Sequence, residues 1–260
     1  MTVASSQRWR SSSSLETVED GVGPIFNAES CGSCHLTPII GGSSQITEKR
    51  VGFYDGFQFL EPPGGSLIQD RATDVSLQEY AAPYANVATM RASLSVLGDG
   101  FVEAVDPATF RALADVQPSF MRGQLLSVPV NELLGATGTG RFGWKDQHAS
   151  LTSFAADAYK NEMGITSPLD PDEPTANGTS VAAYDMVPEG NPSAPDDDGV
   201  DVALFALFMR STLAPPRDEI RAASQAAQIG EKLFRQLGCA VCHRPALVTA
   251  PLARSSTMGP

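Results

Sequence analysis

Two five-residue segments, CGSCH at 31–35 and CAVCH at 239–243, hold all four cysteines of this 260-residue chain. C-x-x-C-H is the attachment signature of c-type haem, and the spacing has a geometric cause. Two thiols three positions apart on one helical turn reach the two vinyl groups of a single porphyrin. The histidine that follows then lies under the iron as its proximal ligand. Other uses of paired cysteines explain less. A thioredoxin-like C-x-x-C needs a βαβ context, which is missing here. A zinc site made from all four thiolates is chemically allowed. Both leave the histidine after each second cysteine without a reason. The expectation is two covalently attached haems c, linked at Cys31 and Cys34 and at Cys239 and Cys242. His35 and His243 are the expected proximal iron ligands.

Covalent haem attachment takes place outside the bacterial inner membrane, so the motifs predict a periplasmic or extracellular protein. The first twenty residues contain two arginines but no apolar h-region behind them, so no intact signal peptide is expected. An incomplete N-terminus fits both observations. No apolar run approaches the roughly 20 residues that span a bilayer, and no transmembrane segment is expected. The formal charge of -12 argues against nucleic acid and anionic lipid as partners. It would suit a redox partner protein with a basic face. Oligomeric state and membership of a larger complex are not legible.

A weak repeat, Ile25–Phe26 and Leu233–Phe234 with each Phe five residues before the first cysteine, suggests two cytochrome-like helical units, and the Gly- and Pro-rich composition suggests long irregular loops; the expected fold is mainly α. The expected division is a flexible, Ser-rich segment at 1–20, a first haem domain with a large insertion at 21–216, and a second haem domain at 217–260. From Thr37 to Gly65 the chain reads as a long loop with one or two short strands. The aromatics Phe53, Tyr54, Phe57 and Phe59 are expected to pack beneath it. Asp106 before Pro107 has the form of an N-cap and first helical residue, opening a helix to about Val116. Leu151, Phe154, Ala155, Ala158 and Tyr159 make an apolar stripe on a helix expected from about Lys145 to Asn161. Asp197 and Asp198 are read as the capped start of an apolar helix, Val200 to Leu213, in preference to a Ca²⁺ site. Pro215 and Pro216 end it. A further helix from Asp218 delivers the second motif.

Several segments resemble one known family. GVGPIFNAESCGSCH, GGSLIQDRA, LGDGFVEAV, GRFGWKDQHASLTSFAADAYKNEMGITSP and GEKLFRQLGCAVCH follow one another as in the bacterial di-haem oxidoreductases. Members of that family are also described as thiol oxidoreductases or peroxidases, and they look distantly similar to di-haem cytochrome c peroxidases. The resemblance covers most of residues 20–245. It implies a largely α-helical exported protein with electron transfer between two haems and, more loosely, peroxidase activity. Members are usually longer, so the second domain is expected to be cut short after His243.

The distal side of each haem decides its chemistry. Two protein ligands give an electron shuttle, whereas an open sixth position binds peroxide or O₂. His148 is the one histidine outside the motifs. Met90, Met121, Met163, Met209 and Met258 are the methionine candidates, of which Met209 reads as core because its helix face is apolar. Arg91 and Arg141 are the candidates for haem propionates. Trp144 and Tyr159 could carry radicals between haems, although packing is the plainer role for each. Three functions are therefore expected, in this order: electron transfer, a peroxidase or oxidase with a five-coordinate haem, and a haem-wiring subunit of a larger assembly.

Overall fold

The computed structural model describes residues 14–187 and 195–251. Met258 and most of the expected flexible segment at 1–20 therefore lie outside the described residues. Helix makes up 31% and strand 17%, in several small sheets. The mainly α expectation, two cytochrome c-like haem domains with long irregular loops, is corrected by this strand content.

The strands lie where the sequence shows only Gly, Pro and Ser between short apolar steps. They run β1 (Ile25–Phe26), β2 (Thr47–Tyr54), β3 (Phe59–Leu60), β4 (Leu67–Ile68), β5 (Arg71–Ala72) and β6 (Val87–Ala92). Strand β2 is the organiser. It pairs antiparallel with β6 from Thr47 opposite Ala92 to Gly52 opposite Val87, and also with β3 and β4. A two-residue strand is too short to show a period, and the β2 partner lies some forty residues on. Local pattern therefore cannot reveal the pairing. The aromatic group sits on this hairpin and faces mostly outward: Tyr54, Phe57 and Phe59 are exposed. They do not form the expected layer beneath a loop. Three further antiparallel pairings are small: β1 with β5, β7 (Ser127–Pro129) with β8 (Thr137–Thr139), and β9 (Thr175–Ala176) with β10 (Thr179–Ser180).

Helices carry the core. After α1 (Cys31–Cys34) and α2 (Asp99–Glu103) comes α3, Pro107–Val116, with Asp106 Oδ1 accepting from the Ala108 N–H at 2.9 Å. Helix α4 spans Leu151–Met163, starting six residues after the expected Lys145. Lys145 and Asp146 have positive φ of 69° and 57°, outside the helical region. Ser150 then caps the helix by accepting from the Ser153 N–H at 3.0 Å. Helix α5 (Val200–Ser211) begins as expected. Asp197 accepts from the N–H groups of Gly199 and Asp201, and Asp198 from that of Val200. Its buried positions Val202, Phe205, Ala206 and Met209 follow i, i+3, i+4, i+7. They pack on Leu151, Ala155, Ala156, Tyr159 and Met163 of α4, together with Val22, Phe26 and Ile165. The last helix is broken into α6 (Glu219–Ala222) and α7 (Gln225–Gln236), with Ser224 capping the second. Among the described residues no helix is long and apolar enough to cross a membrane.

Candidate functional site: an apolar cleft at the first cysteine pair

Helix α1 is one turn long and is held in place by its cap. Ser30, itself buried, accepts from the Ser33 N–H at 3.1 Å, and the His35 N–H closes on the Cys31 carbonyl at 2.9 Å. Cys31 and His35 then form part of the wall of a cleft of about 550 Å³, counted out to its mouth. The rest of the wall comes from Ile40, Gly41 and Val96, from Phe154, Ala155, Ala158 and Tyr159 of α4, and from Phe205, Phe208 and Met209 of α5. Gly41 has φ 89°, and a Cβ there would sit 2.7 Å from Leu97 and 3.2 Å from Phe208. Only glycine lets the backbone pass so close to the cleft.

Electrostatics keep this wall neutral. Burial, above all, pushes the Cys31 thiol up to about 12. Burial and then the charge of Glu162 raise Cys34. Burial lowers His35, against hydrogen bonds with the backbone at Gly42 and Leu94. The His35 Nδ1 lies 3.1 Å from the Gly42 carbonyl oxygen, and a proton on Nδ1 directs Nε2 toward a metal. A neutral imidazole oriented by a carbonyl, two thiols on the same turn and an apolar cleft fit a haem attached through Cys31 and Cys34.

Behind Cys34, Glu162 is held by Asn27 Nδ2, which donates to its Oε2 at 2.7 Å. Burial, followed by the charge and hydrogen bond of Glu48, pushes the Glu162 carboxyl up to about 7. The unfolded chain would ionise it near its ordinary value of 4.5. Between these two values the folded state binds the extra proton, so stability falls as pH rises from about 4.5 to about 7. Glu162→Gln is expected to stabilise the protein at pH 8, on the order of 2 kcal/mol, with little effect at pH 4. Urea unfolding at the two pH values checks this, and an equal effect at both would refute it.

The second motif is built differently. Beyond the end of α7, Gly238, with φ 84°, opens a 3₁₀ turn at Cys239–Val241. The Phe234 ring meets His243 edge-on, with centroids 5.8 Å apart. Gln117, just past α3, fastens this turn. Its Nε2 donates to the Val241 carbonyl at 3.2 Å and reaches Cys242 Sγ at 3.9 Å, while its Oε1 accepts from the Gly123 N–H at 2.7 Å. The following residues are tied to the start of α3: Asp106 N–H to the Val248 carbonyl, and Ala250 N–H to the Ala104 carbonyl. Replacing Gln117 by Leu removes the clamp. Losing about 1–2 kcal/mol of local hydrogen bonding would speed amide exchange at 241–243 roughly 5–30-fold, with the global unfolding midpoint nearly unchanged. Exchange at those amides that stays at the parent rate would show that the clamp is idle.

The remaining sequence candidates are scattered. His148 does not line the cleft. Its Nε2 is 3.3 Å from Asp157 Oδ2, within ion-pair reach but not aligned as a hydrogen bond, and its ring is 6.0 Å from that of Phe154. Met90 is exposed on β6, opposite Lys49. Arg91 lies over the Trp144 ring at 4.0 Å. Arg141 is spent on backbone, with Nη1 donating to the carbonyls of Val102, Glu103 and Val105. Met163 is core. Met121 lies in the turn Ser119–Met121, inside the 117–123 segment that Gln117 closes beside the second motif. Tyr159 and Met209 line the cleft. The place of Met209 was legible in its spacing with Phe205 on one helix face, although that face read only as core. Gln117 carried no signal in the sequence.

A turn with two thiols and an oriented imidazole, beside an apolar cleft, suits a haem redox protein. A family model described as "Di-haem oxidoreductase, putative peroxidase" matches residues 85–257, and the chain belongs to that family. The match contains the second motif and the two helices that line the cleft, and it begins after the first motif. No curated protein and no solved structure matches the chain.

Proposed function

We propose that the chain is an exported di-haem c-type cytochrome that transfers electrons through two covalently bound haems. One would be held at Cys31, Cys34 and His35, the other at Cys239, Cys242 and His243. The observation that carries electron transfer over peroxide chemistry is the lining of the cleft. Apart from His35 and the thiol of Cys31, it offers only aliphatic and aromatic side chains, the phenol of Tyr159 and the thioether of Met209. Splitting peroxide calls for a positioned acid–base group, and among the described residues no second histidine, carboxylate or guanidinium lines this wall. Bound haem would supply a one-electron change at iron. Cys31 and Cys34 would anchor the group, His35 would hold its iron, and the apolar wall would exclude water.

The acidic surface supports a basic redox partner, steered in from solution. Export is supported by the two attachment motifs themselves. The test is expression with periplasmic haem maturation, followed by a pyridine haemochrome assay and reduced spectra. Two covalent haems per chain, low-spin and without steady peroxide turnover, are expected. Rapid peroxide turnover by a persistently five-coordinate haem would overturn the reading.

A further inference from the structure

We infer that Met209 supplies the second axial ligand to the haem held at Cys31, Cys34 and His35. This rests on the reading above that the cleft holds that haem. Once the cysteines are committed to attachment and His35 to one axial position, two side chains on the wall can still ligate iron: Tyr159 from α4 and Met209 from α5. His148 and Met163 do not line it, and Met90 stands on an exposed strand.

Chemistry separates the two. A tyrosine ligates ferric iron as phenolate, and this cleft opposes the loss of its proton. Burial raises the phenol far above its ordinary value, and the charges of Glu16, Asp201 and Asp197 add to the rise. A thioether is neutral before and after ligation, so an apolar wall costs it nothing in charge. It is also the softer donor, and it favours the reduced iron.

The backbone around Met209 is held at several points. Its carbonyl accepts from Thr212 Oγ1 at 3.0 Å. The next residue, Arg210, donates to both carboxylate oxygens of Glu103 at 2.6 and 2.8 Å, and to Thr152 Oγ1 at 3.0 Å. Helix α5 is thus locked to α2 and α4 at the turn that carries the sulfur. Met209 is only 6% exposed, and its site on the stripe turns it to the same side as Phe205. Electrons entering this haem would meet a closed, six-coordinate iron.

The experiment compares the full-length, haem-loaded chain with Met209→Leu, Met209→His and Tyr159→Phe. In Met209→Leu, the red-edge charge-transfer band of ferric thioether ligation should lose the share belonging to one haem. CO-binding haem in the reduced protein should rise by one per chain, with total covalent haem unchanged. Met209→His should lose the same band yet stay low-spin and closed to CO, with a lower potential at one haem. This second variant decides the matter should the leucine variant fail to accumulate. Tyr159→Phe should leave band and CO count alone. A band that survives in Met209→Leu and Met209→His, or that disappears in Tyr159→Phe, overturns the assignment. Absence of covalent haem from the 31–35 motif of the unaltered protein would instead sink the haem reading itself.

Discussion

A chain in which both Cys31 and Cys34 are replaced by serine is expected to carry half the covalent haem of the unaltered protein. Serine keeps the size of the side chain but has no sulfur to form a thioether. Only non-covalent contacts, with His35 and the cleft wall, would then be left to hold the ring. Its ring nitrogen is tied to Gly42, and the rest of the wall gives only apolar contact and two weak donors. The variant should also lose stability, because a cleft of about 550 Å³ between α1, α4 and α5 is left without its occupant. Replacing Cys239 and Cys242 should remove the other haem with a much smaller effect on unfolding, since α7 and the turn after it bury little. Pyridine haemochrome content and urea midpoints of the two double variants make the comparison. Retention of both haems in the first variant would remove the 31–35 motif from the site.

The second large effect concerns the frame around the cleft. Phe205→Ala is expected to cost about 3–5 kcal/mol, the usual range for a buried phenylalanine. Phe205 is 6% exposed, belongs to the core shared by α4 and α5, and meets the Tyr159 ring edge-on at 5.1 Å. Truncation would widen the cleft from inside and free Tyr159. The control is Phe120→Ala at a site 86% exposed, where a change within about 0.5 kcal/mol is expected. Urea unfolding of both variants, compared at equal haem content, checks the pair. Equal losses would mean that the α4–α5 interface is not the core.

Much of the site could be read from the residues because its chemistry is local. The two C-x-x-C-H segments, the Asp106–Pro107 start of α3 and the acidic start of α5 all depend on neighbours a few positions away. The parts that escaped depend on distance along the chain. Strand β2 finds β6 some forty residues on, and Gln117 reaches Val241 across 124 positions. Arg141 looked like a free charged fork for propionates, because nothing local shows the three carbonyls of 102–105 that converge on it. Met209 was visible as one position of an apolar stripe. Which face of that stripe meets His35 is decided only when α5 packs on α4. The start of α4 was misplaced for a local reason, since the left-handed turn at Lys145 and Asp146 occupies the place where the helix was expected to begin.

The unequal setting of the two motifs bears on the order in which the protein is assembled. Cys31 lies on the wall of the cleft lined by α4 and α5, so a haem bound there would pack its ring against residues of the core. Cys242 is exposed on a turn fastened by one glutamine side chain, and it stays within reach of an attachment enzyme after the rest has folded. On the proposed reading, loading at the first site would be coupled to folding, whereas loading at the second would not. A time course of maturation should accordingly show the 31–35 peptide acquiring its haem before the 239–243 peptide.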